Sequence, residues 1–255
     1  MGKSNSKNSW PTKYLFFYSS LVVVSLIYKK ISLWGIDPLQ DGAIAVPAIA
    51  IRDGFHLYSQ VADYKGPVAP YIYNILLPAN LLTIANMRIL TYIFCLLAAY
   101  LSFNILRKIS LSIATVLPLL WLLCSPAISL LYSRPWPGIN LIEPNALLSL
   151  FLLVIIIFFN KSLQIENQKK NFLVLMVISF LISLTIMLRV QMVFLMICWV
   201  LYIILHASKK ITLKLSQISL LTIATFLPIL FFLSLFHQQH SLADWYRQII
   251  QIPIE

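Results

Sequence analysis

The chain has 255 residues, 60% of them hydrophobic and 11% charged, with a mean hydropathy of +0.86. Soluble domains run about 45–50% apolar and about 25% charged, so a water-soluble globule is excluded and a polytopic membrane protein is expected. The net charge of +11 does not call for nucleic acid, because Lys and Arg between membrane spans set orientation.

The N-terminal stretch MGKSNSKNSWPTKY is polar and basic. It reads as a cytoplasmic tail over 1–13, and the apolar run at 14–34 behind it has no small-residue cleavage site, so it reads as an uncleaved first span. A polar stretch, DPLQDGAIAVPAIAIRDGFHLYSQVADYKGPVAPY, then covers Asp37 to Tyr71 and holds four of the eight acidic residues: Asp37, Asp41, Asp53 and Asp63. Within it, Asp41–Gly54 reads as a short surface helix with Gly54 as its stop. Further apolar runs lie at 68–86, 87–106, 110–131, 141–159, 171–188, 190–206 and 213–235. None alternates with the period of a membrane strand, so each is expected to be helical. The stretch Phe172–His206 is too long for one span at about 1.5 Å per residue and must turn near Leu188-Arg189-Val190-Gln191. The cysteines Cys95, Cys124 and Cys198 fall inside apolar runs without metal-ligand spacing and read as packing residues.

The run at 68–86 differs from the others. It contains Pro67 at its threshold, then Pro70 and Pro78, with Asn74, Asn80 and Asn86, and an interior proline costs a helix about 3 kcal/mol. Lysine and arginine counting arbitrates. If this run does not cross and the N-terminus is inside, the inner face holds 11 of the 19 cations, including the clusters at Arg107-Lys108, Lys169-Lys170 and Lys209-Lys210. If it does cross, the inner face holds 7 of the 19. The expected fold is therefore all-α: a membrane bundle of about seven spans over 14–235, with two interfacial helices in an outer loop at 35–86 and an outer C-terminal tail at 236–255.

This topology places every acidic residue except Glu166 on the outer face. They are joined there by Arg52, His56, Tyr58, Tyr64, Lys65, Arg134, Trp136, Arg189 and the tail residues His237 to Arg247. Carboxylates that take protons, cations that receive phosphate and aromatics that pack on sugars or headgroups are the parts of a group-transfer site. The plainer account is that outer loops are polar because they meet water. Glu143 starts a helix ahead of Pro144 and is either a dipole-favoured carboxylate or a site residue. Arg189 is either a snorkelling cation or a functional one. His56, His237 and His240 have no convincing metal-ligand spacing, so no metal and no cofactor is expected.

The loop resembles the first outer loop of GT-C glycosyltransferases, the multispan enzymes that use polyprenyl-phosphate sugars. The matching residues are Asp41-Gly42, Gly54, Leu57-Tyr58 and Tyr64-Lys65-Gly66-Pro67. NMRILTYIF with Arg88, SPAISLLYSRPWPGINLIEPNALLSLFLL and LISLTIMLRVQMVFLMI resemble later segments, so the likeness covers most of 14–206. GT-C enzymes usually have more spans, often followed by a soluble outer domain, so a truncated form is among the expectations.

The resemblance implies Asp41 as the general base that deprotonates an acceptor hydroxyl, with Asp37 as the alternative. It implies Lys65, Arg134 and Arg189 at the donor phosphate, and Tyr58, Tyr64, Trp136 and Glu143 around the sugar. The partners would be a polyprenyl-phosphate-linked sugar, a glycan, lipid or protein acceptor, and the bilayer of a bacterial inner membrane. The competing expectations are a non-catalytic transporter or flippase component and an inactive remnant of the family.

Overall fold

The computed structural model describes residues 17–21, 23, 42–63, 66–124, 144–165, 167–207 and 215–251. The α-helices are α1 (Gly42–Arg52), α2 (Val68–Leu76), α3 (Ile84–Leu106), α4 (Leu111–Cys124), α5 (Pro144–Ser162), α6 (Gln168–Leu188), α7 (Val193–Ala207), α8 (Leu215–Gln238) and α9 (Leu242–Tyr246). Short 3-10 turns stand at Ala79–Leu81 and Val190–Met192, and a π-helical turn covers Arg247–Gln251. Among the described residues there is no β-sheet, only an isolated bridge between Leu57 and Val61.

Local chemistry sets the boundaries. Thr83 caps α3, its hydroxyl accepting from the Asn86 N–H at 3.3 Å. Asn167 caps α6 by accepting from the N–H groups of Lys169 and Lys170. These caps satisfy amides that have no partner within the helix. The apolar run at 68–86 is divided at Pro78, while Pro70 sits in the first turn of α2 and is accommodated there. α2 has nine residues, about 14 Å at 1.5 Å per residue, against a hydrocarbon core of about 30 Å. Pro78 then leaves the helical conformation with ψ 155°.

Four of the described helices are long and apolar enough to cross a membrane: α3, and the stretches Asn145–Ser162 of α5, Lys169–Leu188 of α6 and Gln217–Gln238 of α8. Shorter apolar stretches at Leu111–Leu120 and Val190–Ile203 accompany them. The runs expected at 110–131 and 190–206 thus appear as α4 and α7, with 14 and 15 described residues. Most of the run at 14–34 lies outside the described residues.

Short connections give the bundle two distinct ends. α3 and α4 join across 107–110, α5 and α6 across 163–167, and α6 and α7 across 189–192. The Trp199 indole N–H of α7 donates to the Ser179 hydroxyl of α6 at 2.9 Å, which fixes these two helices side by side. One end carries Arg107, Lys108, Lys161, Lys169 and Lys170, with no acid among the described residues. The opposite end, called here the loop end, carries Asp53, Asp63 and Asp244 together with Arg52, Arg88, Arg189 and Arg247. Phe17 stacks on Phe103, with ring centroids 4.2 Å apart, in the last turn of α3 at the basic end.

The larger core lies at the loop end. It gathers Ile44, Ala45 and Ala48 of α1, Tyr73 of α2, Met87 and Cys95 of α3, Met187 and Leu188 of α6, and Phe232 and Phe236 of α8. A second core joins Ile178, Ile182, Trp199 and Leu221 of α6, α7 and α8.

Candidate functional site

The loop between α1 and α2 does not float free. After Gly54, which has φ +89°, the chain turns on itself. The Val61 N–H donates to the His56 carbonyl at 3.3 Å, and the Tyr58 N–H donates to the Val61 carbonyl at 2.8 Å. Tyr58 has φ +72°, a left-handed backbone that costs a non-glycine residue about 1–3 kcal/mol and persists only where its surroundings enforce it.

Those surroundings come from three other elements. The Tyr58 ring meets Phe236 of α8 edge-on, with centroids 5.1 Å apart. The Gln248 side-chain amide donates to the Tyr58 carbonyl at 2.9 Å and accepts from the Asp63 N–H at 2.9 Å. Gly66 lies against the backbone carbonyls of Met187 and Leu188 at the tip of α6. The loop is thereby docked on the tip of α6, the end of α8 and the turn beyond α9.

Asp63 is drawn inside by this docking and is 3% exposed. Burial pushes the Tyr58 phenol well above its ordinary value of 10.0, and the nearby Asp63 carboxylate raises it further. Tyr58 is therefore a neutral phenol at physiological pH. Tyr71 of α2, beside Phe232, is also raised by burial, while a hydrogen bond with Gln239 lowers it. Arg88 is buried too, at 2% exposed, in the second turn of α3. A buried guanidinium so placed is costly unless it is compensated.

Arg189 stands at the rim of this arrangement. Its backbone N–H donates to the Thr185 carbonyl at 2.9 Å and closes α6. Its side chain is half-buried, and among the described residues no carboxylate forms an ion pair with it. An ion pair at this end joins Arg52 to its neighbour Asp53 at 2.9 Å, in an exposed position, where such pairs contribute about 0–1 kcal/mol.

Of the residues singled out from the sequence, Tyr58 and Arg189 are described, and both lie at the loop end. Asp37, Asp41, Tyr64, Lys65, Arg134, Trp136 and Glu143 lie outside the described residues. The Tyr58 ring is turned into the core at 3% exposed, where it packs against Phe236. Sequence reasoning passed over Asp63 as a site residue and treated Gln248 as part of a tail. The signal for Asp63 was its place directly before Tyr64-Lys65-Gly66-Pro67; Gln248 gave none. Among the described residues, no three His, Cys, Asp or Glu side chains are grouped to hold a metal ion.

A second feature lies between α3, α4 and α5. A groove of about 570 Å³ is lined by Ala98, Ser102, Pro118, Ser149, Leu152 and Ile156, among others. Small residues on α3 and α5 leave the space. Its lining is almost wholly apolar, which suits a hydrocarbon chain. On α5 the lining begins at Ser149, five residues in, and on α3 it runs through Ser102 to Leu106 at the basic end, so the groove lies mostly in the half of the bundle nearer that end.

Comparison with protein-family models, curated proteins and solved structures returns no match.

Proposed function

We propose that the protein is a membrane glycosyltransferase of the GT-C kind, acting at the loop end on a polyprenyl-phosphate-linked sugar. The observation that carries this reading is the docking of residues 57–63 and Gly66 onto the tips of α6 and α8. It sets a buried carboxylate, Asp63, and a half-buried cation, Arg189, at the same end of an apolar bundle. The groove between α3, α4 and α5 adds apolar room for part of a polyprenyl chain inside the bundle, with Ser149 its point nearest the loop end.

In the proposed reaction the carboxylate of Asp41, or alternatively Asp37, removes the proton from the acceptor hydroxyl. The acceptor oxygen attacks the anomeric carbon with inversion. The bond from that carbon to the phosphate oxygen breaks, and its electron pair leaves with the polyprenyl phosphate. Arg189, Lys65 and Arg134 stabilise the departing charge, and Tyr64, Trp136 and Glu143 bound the sugar. The acceptor is a glycan, lipid or protein of the cell envelope. The loop end faces outward from a bacterial inner membrane, and the N-terminus lies in the cytoplasm.

The test is transfer by the full chain in vesicles, supplied with polyprenyl-phosphate sugars and envelope acceptors. Transfer by the unaltered chain is expected, with a loss of about 10²-fold or more for Asp41→Asn, the usual contribution of a general base. Arg189→Ala should lower transfer at least tenfold. An unaltered chain that transfers none of the sugars overturns the reading; full activity in Asp41→Asn overturns the assignment of the base.

A further inference from the structure

We propose that Gln248 is a positioning residue, and that the segment Ser241–Gln251 is a working part of the loop-end site. The consequence for turnover rests on the glycosyl-transfer reading; the contact itself does not.

The geometry begins at the end of α8. His240 adopts a left-handed backbone with φ +53°, and the Ser241 N–H donates to the Phe236 carbonyl at 2.8 Å. The chain therefore reverses. Trp245 of α9 folds back and stacks on Phe236, with centroids 6.1 Å apart. Phe236 is the residue whose ring meets Tyr58. This return brings Gln248 to the loop, where its two ends bind two backbone groups of one turn: the Tyr58 carbonyl and the Asp63 N–H.

A primary amide suits this role because it has an N–H donor at one end and a carbonyl acceptor at the other. The partners fix its orientation, since one is a carbonyl and the other an N–H. Glutamate cannot donate to the Tyr58 carbonyl. Asparagine is shorter by one methylene group. Methionine fills the space and binds neither partner.

Two features show that the turn needs holding. Tyr58 carries a backbone conformation that its side chain disfavours. Asp63 is buried at 3% exposed, at the end of the same turn. Three residues later the chain meets the tip of α6 through Gly66, directly before Arg189. Gln248 thus ties the carboxylate-bearing turn to the end of α8 and sets its register against the Arg189 tip.

The test uses the full chain in vesicles, comparing Gln248→Ala, Gln248→Glu and Gln248→Met with the unaltered protein. Amide hydrogen exchange is followed by mass spectrometry over 56–63. We expect exchange there to rise at least tenfold in all three variants, while peptides from α3 and α6 stay unchanged. If Gln248→Ala loosens the whole chain, Gln248→Met, which keeps the packing, decides the matter. Exchange over 56–63 within twofold of the unaltered protein overturns the proposal.

For a chain that transfers sugar, kcat should fall at least tenfold with the donor KM within threefold. Loosened exchange with an unchanged kcat overturns the positioning role. Because exchange requires no turnover, an unaltered chain without transfer sinks the functional reading and leaves the Gln248 contact to be judged on exchange alone.

Discussion

Gly66 is where the loop meets the tip of α6, and it has no room to be anything else. A methyl group there would overlap the Met187 and Leu188 carbonyls, which are backbone and cannot rotate away. Overpacking of this kind costs about 1–3 kcal/mol. We expect Gly66→Ala to lower the thermal midpoint in detergent and to release the loop to protease. An unshifted midpoint with an intact loop would show that the backbone does not approach so closely. Tyr58 supplies a second expectation. Its folded pKa lies above the value of 10.0 that it has in an unfolded chain, chiefly through burial. The phenol keeps its proton in the folded state where the unfolded chain has lost it. Its contribution to stability is therefore complete below about pH 10 and is lost as pH rises through the folded pKa. Melting curves at rising alkaline pH should show this loss, and Tyr58→Phe should flatten it. A variant with the same alkaline slope would assign the loss to other groups.

Much at the level of elements was legible in the sequence because the relevant physics is local. Prolines and asparagines set the run at 68–86 apart, cation counting chose against a crossing, and the run divides into α2 and a 3-10 turn with the break at Pro78. Arg189 and Gln191 marked the turn inside a run too long to cross once, and α6 ends at Leu188 with α7 starting at Val193. Gly54 announced the stop of α1 and takes φ +89°. Less legible was the depth of α1. It read as a surface helix, yet Ile44 and Ala48 are wholly buried against its neighbours. Small residues look alike on a surface and at a close helix contact, so composition alone cannot separate the two. The candidate site was legible in its end of the bundle and in Arg189. Asp63 and Gln248 were not, because their contact spans 185 residues of sequence and no periodicity reports on a pairing so distant. Trp199 with Ser179 is a smaller case of the same kind.

For the whole molecule the separation of charge is the informative property. Arg107, Lys108, Lys161, Lys169 and Lys170 share one end, while Asp53, Asp63 and Asp244 share the other with Arg52, Arg88, Arg189 and Arg247, so every described lysine lies at the first end. Cationic connections are retained on the cytoplasmic side of a membrane, so the bundle should sit with its loop end outward. A membrane-impermeant maleimide applied to intact cells should label Asp53→Cys and leave Lys108→Cys unmodified, in chains whose own cysteines are replaced. Both positions are exposed, so a negative result reports sidedness and not burial. The reverse pattern would put the loop end in the cytoplasm and remove the basis for an outward-facing reaction.

The distance along the chain between Asp63 and Gln248 also has a consequence in time. Their bond joins residues 185 apart, and a ribosome adding about 5–20 residues per second needs roughly 10–40 s to travel between them. Throughout that interval the strained turn at Tyr58 has been made but its distant partner does not yet exist. The turn can be closed only once α8 has been made and the chain has doubled back to bring Gln248 to it.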